Sequence, residues 1–125
     1  MTTYKYDHIH LRSRDPMATA HYFATMFGAT VLESVQTDGQ SRVDLDLNGL
    51  TIFLAKANES TPDGPLTPYV GLDHFGLQVD DIDQATSELK AKGAEFVVEP
   101  YQLRPGLKIA FVQAPGNIRV ELLER

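Results

Sequence analysis

The chain has no cysteine, and this absence excludes several kinds of site at once. Without thiols there is no disulfide bridge, zinc-thiolate centre, iron–sulfur cluster or thiol nucleophile. Oxygen and imidazole groups are therefore the metal ligands that the sequence can offer.

Basic residues and long apolar runs are also scarce. Eleven Lys and Arg against 17 Asp and Glu give a net charge of −6, which excludes a basic face for nucleic acid or anionic lipid. No apolar run approaches the roughly 20 residues that span a bilayer. The first residues, MTTYKYDH, lack the apolar stretch of a signal peptide. We therefore predict a cytoplasmic protein without a nucleic-acid or membrane partner.

The 125 residues contain an internal repeat. DHIHLRSRDP begins at Asp7, and DHFGLQVDDID begins 66 residues later at Asp73. In each copy an Asp-His pair opens a strand, and an aspartate seven residues after the histidine, Asp15 or Asp81, begins a helix. Two copies of one supersecondary unit place a histidine at the same point in each, which predicts a shared site.

Alternating apolar residues, helix signals and turn signals predict the order β-α-β-β-β in both copies. The predicted strands are 6–14, 30–36, 41–47 and 51–56, then 73–79, 95–99, 109–113 and 118–124. The predicted helices are 16–28, burying Thr19, Tyr22, Phe23, Met26 and Phe27, and 82–92, burying Ile82, Ala85 and Leu89. We expect an α+β fold in one domain, 1–125. It comprises module one at 5–56, a proline-bearing linker at 57–70 and module two at 71–125.

Paired modules of this order, with a histidine opening each half and VELLE near the end, resemble the vicinal oxygen chelate superfamily. The superfamily includes glyoxalase I, methylmalonyl-CoA epimerase, extradiol dioxygenases, fosfomycin-resistance thiol transferases and bleomycin-binding proteins. The resemblance implies two curved mixed sheets that form a cup around one divalent ion. It implies that His8, His74 and Glu121 are metal ligands. Aligning Ile52–Ala55 with Val120–Leu123 puts Phe53, which cannot bind a metal, opposite Glu121.

Two imidazoles and one carboxylate leave coordination positions open for water or substrate oxygens. Such a set suits iron, manganese, nickel, cobalt or zinc. The ion would keep one unit of positive charge, with which it could polarise a carbonyl or stabilise an enolate.

Further residues are candidates for catalysis or substrate binding. His10 shares a face with His8, and Asp44 or Asp46 could serve as a base, although a solvated strand would carry such residues anyway. With Glu121, the candidate catalytic groups are His10 and Asp44. The candidate substrate-binding residues are Arg12, Phe53, Asp46, Arg104, Lys108 and Arg119. The segment Gln102–Lys108 is either a mobile lid or a solvated hairpin loop.

These features predict a metal-dependent enzyme that chelates a small oxygenated substrate. We expect a glyoxalase-like lyase, isomerase or epimerase that acts through an enolate-like intermediate. The alternatives are a small-molecule binding or resistance protein on the same scaffold and an iron(II)-dependent ring-cleaving dioxygenase. A chain this small with two sheets leaves edges uncovered, which favours a homodimer. Each metal site could draw its ligands from one chain or from two.

Overall fold

The two repeats fold as two four-stranded sheets, each with one helix. In the computed structural model, which describes residues 1–125, Met1–Thr61 forms unit one and Pro62–Arg125 forms unit two. The predicted α+β class, with two β-α-β-β-β modules, is confirmed. The boundary between the units falls within the linker proposed from the sequence.

The elements follow each other in the same order in both units. Unit one contains β1 (Ile9–Ser13), α1 (Pro16–Phe27), β2 (Thr30–Val35), β3 (Ser41–Leu47) and β4 (Leu50–Lys56). Unit two contains β5 (Phe75–Gln78), α2 (Ile82–Ala91), β6 (Glu95–Arg104), β7 (Leu107–Ala114) and β8 (Ile118–Glu124). The strand orders are β1-β4-β3-β2 and β5-β8-β7-β6. In each sheet the first strand is parallel to the last, and the other pairs are antiparallel.

Equivalent aspartates begin the two helices. The carboxylate of Asp15 accepts a hydrogen bond from the Ala18 N–H, and that of Asp81 accepts one from the Gln84 N–H. Both satisfy a backbone donor that a helix start leaves unpaired. Gly28 ends α1 in the left-handed conformation at φ 74°, which glycine adopts without strain. The helix ends inferred from the sequence are therefore confirmed to within a residue or so.

The buried stripes differ slightly from those predicted. In α1 the buried residues are Thr19, Ala20 and Phe23, while Tyr22, Met26 and Phe27 are only half-buried. In α2 the buried residues are Ile82, Thr86 and Leu89, so the prediction of Ala85 was wrong. Thr86 is tolerated there because its hydroxyl donates to the Ile82 carbonyl at 2.7 Å, which satisfies the polar group inside the core.

Strand alternation leaves one face of each sheet for chemistry. On unit one, Leu45, Ile52 and Leu54 are buried with α1, so Phe53 lies on the opposite face. Unit two buries Val112, Val120 and Leu122 in the same way. We call the face that bears Phe53 in unit one, and the equivalent face in unit two, the open face.

The segment proposed as a lid or loop is a β-hairpin. Strand β6 continues to Arg104 and β7 begins at Leu107, so the turn contains only Pro105 and Gly106. Gly106 has φ 81°, which permits so tight a connection. The prediction that β6 ends near residue 99 was therefore wrong, and no long loop is present here.

Neither helix has the length and apolarity needed to cross a membrane.

Replacement of either helix-starting aspartate is expected to destabilise its unit. Asp15→Ala and Asp81→Ala should each lower the free energy of unfolding by about 1 kcal/mol, because an N–H at the helix start loses its acceptor. Urea unfolding followed by circular dichroism measures the change. Glu59→Ala, an exposed change outside the helices, is the control. Unaltered unfolding midpoints in both aspartate variants would contradict the capping role.

Candidate functional site

The ladder of unit one places three side chains in a row across its open face. His10 on β1 pairs with Phe53 on β4, and Phe53 pairs with Asp44 on β3. Residues directly opposite each other in a sheet project to the same side. The first strand, the last strand and the strand next to it therefore each contribute one group.

Unit two repeats this row with different residues. Gly76 on β5 pairs with Glu121 on β8, and Glu121 pairs with Phe111 on β7. Phe53 thus occupies in unit one the position that Glu121 holds in unit two, as the sequence alignment of the repeats predicts. In unit one the last strand carries the phenyl ring and the neighbouring strand carries the carboxylate, whereas in unit two the last strand carries the carboxylate and its neighbour carries the phenyl ring.

The polar cluster of unit two centres on His74, which directly precedes β5. Its Nδ1 lies 2.7 Å from Asp73 Oδ2, and its Nε2 lies 3.3 Å from Glu121 Oε1. The ring of Phe111 packs edge-on against the imidazole, with the ring centroids 4.9 Å apart. The side chains of His74 and Glu121 are 30% and 16% exposed. Both are therefore held in place yet remain accessible to a ligand.

Gly76 lies opposite Glu121 in the sheet and has no side chain that could occupy the space beside its carboxylate. A Cβ atom at this position would lie 2.8 Å from Leu123 Cδ1 and 3.4 Å from Glu121 Oε1. The first distance is below normal contact, so any larger residue would displace the Leu123 side chain, and its Cβ would also touch the carboxylate. The equivalent residue in unit one is His10, beside Phe53.

Asp73 is a stabilised carboxylate behind His74. The Thr67 hydroxyl donates to its Oδ1. This bond, together with the one to His74, holds the pKa of Asp73 below its ordinary value of 3.8. The charges of His74 and Arg119 lower the pKa further, while desolvation opposes the shift. A carboxylate that stays ionised fixes the Nδ1 side of the imidazole and leaves Nε2 for a ligand.

Unit one holds its histidine in a different way. His8 precedes β1, and its Nδ1 lies 2.7 Å from Asp7 Oδ2, as in the equivalent pair of unit two. The imidazole stacks on Phe53 with ring centroids 4.0 Å apart and an interplanar angle of 28°. The phenyl ring therefore supports the histidine where unit two supplies a carboxylate.

The structure adds Arg42, a residue that the sequence analysis overlooked. Its Nε donates to Asp44 Oδ2 at 2.7 Å, and its guanidinium carbon lies 4.6 Å from the centre of the Phe53 ring. Asp44 also accepts from the Leu54 N–H at 3.3 Å. The alternation that places Asp44 on the open face also places Arg42 there, two residues earlier, so the signal was present.

The remaining predicted residues are dispersed. Asp46 caps the turn after β3, where its carboxylate accepts from the Gly49 N–H at 2.9 Å. Arg12 is exposed on β1, and Arg104 is exposed at the hairpin turn. Lys108 Nζ lies 3.9 Å from both Asp83 and Glu124. Of the cations proposed to bind substrate, Arg119 alone is tied to the His74 cluster, through its effect on Asp73.

The donor set of unit two fits part of a divalent metal site. An imidazole nitrogen and a carboxylate oxygen converge, and the other imidazole nitrogen is held by a carboxylate, which is the usual support of a metal-binding histidine. No three His, Asp or Glu side chains gather closely enough to hold an ion. Unit two thus offers two ligands, and His8 of unit one is equivalent to His74 in sequence and in its aspartate contact.

Comparison with known proteins identifies the family. The model of the Glyoxalase/Bleomycin resistance protein/Dioxygenase superfamily matches residues 5–122, so the chain belongs to this superfamily. The resemblance seen in the sequence is thereby confirmed.

Two curated proteins and three solved structures are similar to the chain. A probable lactoylglutathione lyase of Arabidopsis thaliana chloroplasts is 41% identical over 56 residues, which cover 44% of this chain and 16% of the plant protein. The Escherichia coli protein YaeR is 26% identical over 94% of both chains. UcmS2 superposes with a TM-score of 0.79 at 14% identity, covering 99% of this chain and 100% of its own.

The other two structures belong to the same family of folds. A glyoxylase/bleomycin resistance protein/dioxygenase domain from Frankia gives a TM-score of 0.77 at 23% identity over 98% of both chains. The third structure is a variant of the fosfomycin resistance protein FosX from Listeria monocytogenes, complexed with Mn(II) and 1S,2S-dihydroxypropylphosphonic acid. It gives a TM-score of 0.73 at 21% identity, covering 97% of this chain and 92% of the FosX chain. These likenesses establish the fold.

Removal of the Thr67 hydroxyl is expected to destabilise the ionised form of Asp73 relative to its protonated form. Because the folded pKa lies below 3.8, ionised Asp73 stabilises the fold above that pH, and the contribution is lost as pH falls through the folded pKa. Thr67→Val should raise the pKa of Asp73 and should cost more stability at neutral pH than near pH 2. Carboxyl-carbon NMR titration measures the pKa, with Thr25→Val as the control. An Asp73 pKa unaltered by Thr67→Val would show that the hydroxyl does not hold it.

Proposed function

We propose that the protein is a metal-dependent enzyme whose His8, His74 and Glu121 hold one divalent ion. The observation that carries this proposal is the approach of His74 Nε2 to Glu121 Oε1, at 3.3 Å, with Nδ1 already held by Asp73. The equivalent contact between His8 and Asp7 supports the same role for His8. The Mn(II) complex of FosX, a structural neighbour, also supports a metal on this scaffold.

The residues of this chain suit a small substrate with two oxygen donors. A divalent ion bound by two imidazoles and one carboxylate supplies a Lewis acid with open positions. Asp7 and Asp73 orient the two histidines, and Phe53 excludes water beside His8. Iron, manganese, nickel, cobalt and zinc all suit such a ligand set. We assign the reaction to the lyase, isomerase or epimerase type, with removal of a proton next to a carbonyl.

His10 is the better of the two candidates for proton transfer in unit one. Asp44 already accepts hydrogen bonds from Arg42 and from the Leu54 N–H, and these occupy both of its oxygens. His10 is exposed and lies edge-on to Phe53, with ring centroids 6.3 Å apart. An imidazole in this position is available to a substrate as a proton donor or acceptor. We therefore assign acid–base work to His10 and a positioning role to Asp44.

A binding or resistance protein on the same scaffold is the second candidate. Phe53 favours it, because an aromatic ring in place of a carboxylate suits the binding of an organic molecule better than chemistry on it. Metal content separates the two candidates, since the enzyme needs its ion. Oxygen consumption with catechols would instead indicate a dioxygenase.

Loss of any of the three proposed ligands is expected to lower metal occupancy. His8→Ala, His74→Ala and Glu121→Ala should each reduce bound Mn²⁺ or Zn²⁺ by at least about tenfold, because a three-ligand site loses a donor. Equilibrium dialysis with elemental analysis measures occupancy. His21→Ala, an exposed histidine on α1, is the matched control and should bind as the parent does. Full occupancy in both His8→Ala and His74→Ala would rule out the proposed site.

A carboxylate in place of Phe53 is expected to add the missing fourth donor. Phe53→Glu restores in unit one the residue type that Glu121 supplies at the equivalent position, so metal affinity or metal preference should change. Phe53→Leu removes the ring without adding a ligand and is the matched control. Titration calorimetry with Mn²⁺, Ni²⁺ and Zn²⁺ measures both. If Phe53→Glu and Phe53→Leu bind all three ions alike, Phe53 does not face the ion.

The chain is expected to form a homodimer. Strands β2 and β6 are edge strands, and both expose apolar side chains: Leu32, Val35, Val97, Tyr101 and Leu103. Uncovered edges with apolar groups favour pairing with another copy. Sedimentation equilibrium at micromolar concentration should give twice the 13.9 kDa monomer mass. A monomer mass at that concentration would refute the dimer.

A further inference from the structure

A pocket of about 830 Å³ opens on unit one, with a wall that includes Arg42, His10 and Phe53. Its size falls in the range of small-molecule sites. The pocket needs neither His74 nor Glu121, since its lining residues all lie between residues 10 and 56. The pocket shares His10 and Phe53 with the open face, but none of the three proposed metal ligands lines it.

Arg42 is held rigidly in the wall of this pocket. Its Nε donates to Asp44 at 2.7 Å, and Asp44 is itself fixed by the Leu54 N–H. The guanidinium plane is further restrained by the Phe53 ring, whose centre lies 4.6 Å away. Two contacts, to Asp44 and to Phe53, restrain the side chain and reduce the conformational entropy that it loses when it binds a ligand.

The remaining donors of Arg42 suit an oxyanion. With Nε engaged by Asp44, the two Nη groups are left for a ligand, and the side chain is 38% exposed. A guanidinium donates two parallel hydrogen bonds to a carboxylate or phosphonate.

The rest of the wall indicates an amphipathic ligand. Lys56 adds a second cation, while Met17, Val35 and Val43 supply apolar surface. Two acids also reach the pocket. One of them, Asp15, is engaged at the start of α1, where its carboxylate accepts from the Ala18 N–H, and the other is Glu33. With the Asp15 carboxylate engaged, Arg42 and Lys56 can pair with an anionic head, and the apolar groups suit an apolar body.

We propose that this pocket binds a small organic anion, a carboxylate or phosphonate with an apolar body, and that Arg42 binds its anionic group. Asp44 and Phe53 position the guanidinium for that task. None of the proposed metal ligands lines the pocket, so anion binding can be tested on metal-free protein.

The test uses benzoate and its neutral isostere benzamide on metal-free protein. Benzoate should bind with a Kd of about 1 mM or tighter, and benzamide at least about tenfold more weakly, because only the carboxylate pairs with the guanidinium. Nitrogen-15 NMR of the Arg42 Nε–H and of the Ala55 backbone N–H should show saturable shifts with benzoate. Phenylphosphonate in a parallel titration shows which head group the site prefers.

Variants separate the contact from general charge. Arg42→Gln should bring benzoate affinity down to that of benzamide. Arg42→Lys should leave an intermediate affinity, because lysine keeps the positive charge but lacks the two parallel N–H donors of the guanidinium. Lys5→Gln removes one positive charge outside the pocket and should bind benzoate as the parent does.

Several outcomes would overturn the proposal. Equal binding of benzoate and benzamide, or unchanged benzoate affinity in Arg42→Gln, would remove Arg42 from the site. No saturable shift at the Arg42 Nε–H of the unmodified protein with either anion would do the same, whether or not the variants fold. The benzoate titrations are carried out on metal-free protein and do not depend on metal occupancy. If benzoate fails to bind, the proposed metal site is therefore unaffected.

Discussion

The parallel pairing of the first strand with the last strand of each unit is the constraint on which the open faces depend. Because β1 lies beside β4 and β5 beside β8, residues far apart in sequence become neighbours at a fixed register. The histidine just before the first strand therefore contacts a side chain of the last strand. In unit one that side chain is Phe53, and in unit two it is Glu121.

The two units differ by an exchange of residue types within this shared frame. The last strand carries the phenyl ring and its neighbour the carboxylate in unit one, whereas unit two has the reverse order. In unit two the result is an imidazole whose Nε2 faces the Glu121 carboxylate, an arrangement suited to a metal ion. In unit one the carboxylate Asp44 instead binds Arg42, and the ring of Phe53 contacts both Arg42 and His8. We therefore propose that the two copies of the repeat differ in ligand preference, with a cation bound through unit two and an organic anion bound on unit one.

Much of this arrangement could be predicted from the sequence because the repeat is explicit. The register of the two Asp-His pairs and the aspartates at the helix starts are local signals, and they predicted the modules, the helices and the position of Phe53 opposite Glu121. Family resemblance then supplied the expected ligands. The turn signals also predicted strand β3 correctly in both bounds.

Other features depend on contacts that a linear pattern does not show. The extent of β6 depends on a two-residue turn made possible by Gly106, so the apparent loop around it became paired strand. The burial of Thr86 depends on its bond to the Ile82 carbonyl. The engagement of Asp44 depends on Arg42, whose guanidinium could only be placed once the neighbouring strand and Phe53 were in position.

We propose that His8 of unit one and His74 and Glu121 of unit two bind a single ion. The most direct measurement is NMR line broadening by Mn²⁺ of the imidazole and side-chain carboxyl signals of these three residues. The account predicts that all three signals broaden together, with one midpoint, and that the effect is complete at one ion per chain. Broadening of His74 and Glu121 with the His8 signal unaffected would contradict it, because unit two would then bind the ion without unit one.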